Sequence, residues 1–331
     1  MDNFEFDKLF PGTPWLRNGT IFLTIHGSRA YGLNTENSDT DYKGIAIPPS
    51  KYFLGYLHKF DQAEAHEPDI TIYNIQKFFK LASDCNPNII ELLYTDPKHH
   101  LITSTVSDGL ISIRDMFLSK KARHTFSGYA FAQLKRIKTH KKWLLNPPDH
   151  KPFRQEYGLP ETSLLGQDLM GAIEATVKTN DPEWDKNIAL FGVGIEKFGL
   201  NVMATYQKER AYHNALTQFQ QYENWKKNRN PARHEMEEKF GYDTKHAMHL
   251  VRLMRMCREI LEGQGVIVNR VKDRNDLLSI RNGAWSYEFL LEWAESMDQE
   301  IARLYEISTL PHSPDREKLD QICHNLIEKN I

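Results

Sequence analysis

The 331 residues include 42 basic and 44 acidic side chains, a formal net charge of -2, and are 40% hydrophobic and 26% charged. That balance excludes a disordered chain and any global field that would draw the whole protein onto a polyanion, so a nucleic-acid contact would need a local patch. Cys85, Cys257 and Cys323 form no CxxC pair and no disulfide framework, the N-terminus lacks a signal-peptide pattern, and no apolar run reaches the roughly 20 residues that cross a bilayer. These features lead us to expect a soluble cytoplasmic protein with no membrane partner.

In chain order, Ile21-Phe-Leu-Thr-Ile25 is apolar and β-rich and runs into His26-Gly27-Ser28, as a buried strand ending at a turn. The polar stretch from Asn34 to Ser38 leads to a second strand expected over 39–47, closed by Pro48-Pro49. A third is expected over 69–73, where Ile70 and Ile72 alternate with Asp69, Thr71 and Tyr73. After residue 74 the period becomes helical, with Ile75, Phe78, Phe79 and Ala82 on one face. Asn86-Pro87-Asn88 has the form of a helix start.

From residue 116 strands give way to helices, expected over 116–145, 163–178, 200–228, 243–262, 286–306 and 315–329, with breaks at Asn146-Pro147-Pro148, Gly263-Gln264-Gly265 and Leu310 to Pro314. The fold class expected is α+β. A small mixed-sheet domain with flanking helices would occupy residues 1–115, and a larger all-helical domain residues 116–331.

Asp39 and Asp41 lie two apart on an expected strand, so their carboxylates would project from one face. Like charges that close repel unless a cation lies between them, and hard oxygen donors suit Mg²⁺. The preceding Gly27-Ser28 lets the backbone bend tightly and present N–H groups and a hydroxyl to a phosphate. Either feature alone fits an ordinary turn or a solvated edge. Strand, Gly-Ser, short polar link and Asp-x-Asp together form a far more specific pattern.

His26-Gly27-Ser28-Arg29-Ala30-Tyr31-Gly32-Leu33, with Ser38-Asp39-Thr40-Asp41-Tyr42-Lys43-Gly44, resembles the DNA polymerase β nucleotidyltransferase superfamily. The likeness is greatest to its RNA-ligase-associated, RNA-repair branch, which Asn86-Pro87-Asn88, Glu91-Leu92-Leu93 and the run Lys245 to Leu253 also match. The resemblance implies transfer of a nucleoside monophosphate from an NTP, ATP foremost, to an acceptor hydroxyl such as an RNA or tRNA end. It implies Asp39 and Asp41 as catalytic ligands of two Mg²⁺ ions (Mn²⁺ as a substitute), and Gly27 and Ser28 as triphosphate holders. It also implies a third carboxylate on a neighbouring strand. Asp69 is the choice, with Glu67 and Glu64 as competitors. A protein or small-molecule acceptor, or a non-catalytic RNA-binding role, are the alternatives.

Arg29 could reach a phosphate or be a surface charge beside the turn. Lys245, His249 and Arg252 fall at i, i+4 and i+7 on one helical face. The resemblance covers them, so they are expected at the nucleotide, with Lys245 and Arg252 on its phosphates. No acidic residue occurs between Asp115 and Asp149, while Lys120, Lys121, Arg123, Lys135, Arg136 and Lys138 do, with aromatic residues interleaved. This is the local patch that nucleic-acid binding requires. No histidine arrangement supports zinc.

Overall fold

A computed structural model of the protein describes residues 5–180, 191–229 and 231–331. Among these residues five strands form one sheet: β1 Thr20–His26, β2 Asp41–Ala46, β3 Gln62–His66, β4 Asp69–Asn74 and β5 His100–Ile102. The helices are α1 Phe6–Leu9, α2 Leu16–Gly19, α3 Gly27–Ala30, α4 Lys51–Leu54, α5 Ile75–Ser83, α6 Pro87–Ile90, α7 Thr105–Ser112 and α8 Ala122–Leu145. They continue with α9 Gln167–Asn180, α10 Phe191–Phe198, α11 Leu200–Lys227, α12 Pro231–Phe240, α13 Thr244–Leu261, α14 Arg274–Arg281, α15 Tyr287–Ile307 and α16 Arg316–Glu328. The fold is α+β, with its described strands all before residue 103.

The strand order is β3-β4-β2-β1-β5, antiparallel except for the β2–β4 pair. That parallel pair registers Tyr42 with Ile70 and Gly44 with Ile72, while β1 registers His26 with Asp41 and Thr24 with Lys43. Since side chains alternate along a strand, these registers sort the residues onto two faces. Leu23, Ala46, Ile70 and Ile72 turn to one face and pack with Phe6, Phe10, Leu16 and Phe60. Phe22 and Ile45 turn to the other, where they join Phe78 of α5, Phe126 of α8 and much of α13 in the main core. Asp41, Lys43, Asp69 and Thr71 share that second face but lie towards the end where β1 stops and β2 and β4 begin.

Two strands went unanticipated. Gln62-Ala-Glu-Ala-His66 has no β-branched residue and is a strand because it pairs with β4 at the sheet edge. The β5 strand is only three residues long. The strand expected from residue 39 begins at Asp41, leaving Asp39 in the approach to it.

The chain forms two compact units, one of residues 1–139 with 236–331 and one of residues 140–235. This packing divides the chain elsewhere than at residue 115, because α13 and its neighbours pack into the same core as the sheet. In the second unit, Leu165, Ile173, Met203 and Tyr206 make a separate small core. There Arg154 holds the fully buried Glu209, which also accepts from the Ser163 hydroxyl at 3.0 Å.

Candidate active site

The β1 strand delivers its last residue, His26, to the bend that opens α3. Gly27 has φ +63°, and a Cβ built on it would run into the Asp41 carboxylate, so both backbone conformation and close approach require glycine here. Ser28 is half-buried in the same turn, and its carbonyl accepts from the Leu33 N–H at 2.8 Å, closing the loop.

The β2–β4 register sets Asp41 beside Asp69 on one face of two parallel strands. Asp39, two residues upstream and exposed, completes the cluster. Burial, then the charges of Asp39 and Asp69, push the Asp41 carboxyl above its ordinary range, while Lys43 and Lys245 pull against them. Asp39, Asp69 and Lys245 are thus all within electrostatic reach of Asp41, which lies against Gly27. Glu64 sits on β3 opposite Thr71, and Glu67 lies in the connection before β4, so it is Asp69 that takes the position next to Asp41.

Arg29 does not extend into the space above the turn. Its Nη2 donates to the Ser38 carbonyl at 2.8 Å and its Nε to the Asp39 carbonyl at 3.2 Å. It anchors the backbone that presents Asp39, a role which spacing alone does not reveal. His249 is half-buried on α13, one turn beyond Lys245.

Arg252 was expected at a phosphate, but its side chain lies in the core. It is only 5% exposed, donates from Nη1 to Glu91 Oε1 at 2.8 Å, and stacks its guanidinium 3.7 Å from the centre of the Tyr31 ring. Tyr31 in turn donates its hydroxyl to Glu91 Oε2 at 2.5 Å, and His26 Nε2 lies 3.5 Å from the same oxygen. Burial by itself would raise the Glu91 carboxyl, but Arg252, His26 and Tyr31 outweigh it and hold the group well below the usual carboxylate range. Burial, with Lys43 nearby, lowers His26 to about 4, so its imidazole is neutral at pH 7. Sequence spacing placed Arg252 at a phosphate and gave no sign of this layer as a unit. Its one signal was an acid inside the apolar run Ile89-Ile90-Glu91-Leu92-Leu93, which must find a partner when buried.

Lys43 is a second omission. It shares the face of Asp41, lies near Asp41, Asp69 and Glu91, and donates from Nζ to the Asn88 carbonyl at 3.3 Å. The chain after α13 also grips the turn. The Arg270 N–H donates to the Tyr31 carbonyl at 3.0 Å, Arg274 Nε to the Gly32 carbonyl at 2.6 Å, and Arg281 Nη1 to the Leu33 carbonyl at 3.4 Å. Gly32, at φ +69°, permits the exit from the loop.

The basic stretch splits in two. Lys120 is 8% exposed, with Nζ directed to the Glu306 carbonyl and the Tyr305 ring. Lys121 pairs with Asp84 at 2.9 Å, and Arg123 with Asp298 at 2.8 Å. These three, expected on a nucleic-acid surface, instead fasten the start of α8 to its surroundings. Lys135, Arg136 and Lys138 are exposed on α8, and no described acidic side chain pairs with them.

No described helix is long and apolar enough to cross a membrane. No solved structure matches the chain. A stretch of 89 residues is 30% identical to an uncharacterized 38.9 kDa protein of the nrdC-mobD intergenic region of Enterobacteria phage T4. The match covers 24% of this chain and 26% of that relative, so it spans about a quarter of the phage protein's length. Residues 15–146, which carry the Gly27-Ser28 bend and all three clustered aspartates, match the family model RlaP, described as the RNA repair pathway DNA polymerase beta family.

Proposed function

We propose that the protein is a nucleotidyltransferase that moves a nucleoside monophosphate from an NTP, ATP foremost, to the hydroxyl of an RNA end, with pyrophosphate leaving. The observation that carries this reading is the convergence of Asp39, Asp41 and Asp69 against the Gly27 bend. The donor set fits divalent ions: three carboxylates share a site where burial and mutual repulsion raise the Asp41 carboxyl, a strain that a hard cation relieves. Asp39, Asp41 and Asp69 would hold Mg²⁺, or Mn²⁺ in its place, which when bound supplies charge neutralisation at the triphosphate and a more acidic acceptor hydroxyl.

The chain's own residues do the positioning. Gly27 and Ser28 offer the triphosphate a backbone bend and a hydroxyl. Lys245, from α13, brings a cation to the same side as Asp41, and His249 follows it on the helix. Arg29 fixes Asp39 through the backbone, and the Glu91–Arg252–Tyr31 layer holds the bend from below. Such an arrangement accelerates transfer by orientation and charge placement made before the substrate arrives.

Incubating the protein with each of four labelled NTPs, Mg²⁺ and total RNA tests the reading. We expect label in RNA with the wild type and a loss of at least about a hundredfold with Asp39→Asn, as when an electrostatic element of a site is removed. Label appearing in protein instead of RNA would replace the acceptor. Failure to bind Mg²⁺-NTP would remove the enzyme reading altogether.

A further inference from the structure

We propose that the exposed row Tyr129–Ala132–Arg136 on α8, flanked by Lys135, is a track for single-stranded RNA leading to the carboxylate end of the sheet. It deepens the reading of an RNA end as acceptor and rests on that reading only for the strand's destination.

The first support is where the ring stands. Tyr129 is 37% exposed, and Asn86 Nδ2 donates to its hydroxyl at 3.1 Å, which fixes the ring beside the Asn86–Asn88 loop. That loop receives Lys43 at the Asn88 carbonyl, and Lys43 shares the face of Asp41. Tyr73 stands on the same face of β4 as Asp69 and Thr71, and burial raises its hydroxyl to about 12, with Glu64, Tyr129 and Asp69 contributing in that order. Tyr73 thus lies within electrostatic range of both Tyr129 and Asp69.

The second support is the helix surface. At 3.6 residues per turn, Gly128, Tyr129, Ala132, Lys135 and Arg136 share one exposed arc, while Phe126, Ala130, Leu134 and Ile137 fill the core from the opposite side. Gly128 has open space where a side chain would stand, and Ala132 is small, so the ground between ring and cations is low. Seven residues of helix span about 10 Å, the length of about three stacked nucleotides. A π-face that tolerates any base, followed by cations spaced for phosphates, suits a single strand. No acidic residue between 116 and 148 opposes a polyanion.

The test measures binding of a fluorescent 12-nucleotide single-stranded RNA to the full chain by anisotropy without nucleotide, and NMP incorporation into the same RNA separately. We expect Tyr129→Ala to weaken RNA binding by at least about fivefold and Tyr129→Phe to retain it, as base stacking on an aromatic ring predicts. Replacing Lys135 and Arg136 together by Gln should lower the slope of log affinity against log salt by about 1.4, at 0.7 per phosphate contact of a single strand. Lys329→Gln, on the exposed end of α16, should match the wild type, and thermal melting should show all variants folded. RNA binding unchanged in the α8 variants, or equal affinity for duplex RNA, would overturn the track. Because the binding arm needs no catalysis, it decides this point even if no nucleotide is transferred. Undiminished transfer to RNA by variants with unchanged binding would overturn the track while leaving the transferase reading intact.

Discussion

Glu91 has no exposed surface, and three partners converge on its two oxygens. Removing one member of such a set strands the rest in a low-dielectric interior, so Glu91→Gln should destabilise the protein by about 3–5 kcal/mol. Urea unfolding monitored by circular dichroism measures this, and Lys59→Gln, on the exposed surface, should fall within about 0.5 kcal/mol of wild type. The same layer sets a pH dependence. His26 in the folded protein titrates near 4 against an ordinary 6.5, so between those values the unfolded chain binds a proton that the fold refuses. Stability is therefore lost as the pH is lowered from 6.5 towards 4, by up to about 1.4 kcal/mol per unit. Below the ordinary carboxylate value Glu91 adds a loss of the same sign. His26→Gln should flatten the upper part of the curve and leave the lower part. At the bend, Gly27→Ala should abolish NTP-dependent transfer and also lower the melting point, since its φ of +63° strains any side chain and the new methyl would meet the Asp41 carboxylate.

Among the elements, α5 shows how a helix stations the sheet. Asn74 closes β4 and caps α5 at once, its side chain accepting from the Gln76 N–H at 2.8 Å, so strand end and helix start are one residue apart. Phe78, fully buried, is the hinge of that packing, and Phe78→Ala should cost about 3–5 kcal/mol in chemical denaturation. Elements of this kind were legible in the sequence because one period governs each of them: the 3.6 spacing of Ile75, Phe78, Phe79 and Ala82, and the alternation around Ile70 and Ile72. The α13 helix was legible for the same reason. Its cationic face was misleading, because spacing shows which residues share a side but not which neighbour covers it. Arg252 lies on the same helical face as Lys245, yet one meets Glu91 and the other lies near Asp41. The β3 and β5 strands were illegible because their existence depends on partners far along the chain.

For the whole molecule, the packing of residues 236–331 with residues 1–139 and the separate core of residues 140–235 imply two levels of opening. Met203→Ala empties part of the second core and should speed amide hydrogen exchange in α11 without changing protection in β1, β2 and β4. Uniform loss of protection would show that the two units unfold as one. Motif order along the chain pointed to the proposed site, since Gly27, Asp39, Asp41 and Asp69 fall within 43 residues of sequence. The two-unit organisation was hidden because a domain assembled from distant segments leaves no change of composition at its borders.

The Tyr31, Gly32 and Leu33 carbonyls all receive donors from residues 270–281. A polypeptide ending at residue 146 would keep every acidic group of the centre and every residue of the family match, yet lose the guanidinium that neutralises Glu91 and the fasteners around that short loop. Its aspartates would be carried on a floppy support and its interior would contain an orphan anion. Cutting the gene down to the recognisable segment should therefore yield an inert, poorly folded product, and supplying residues 236–331 as a separate chain should restore order to it.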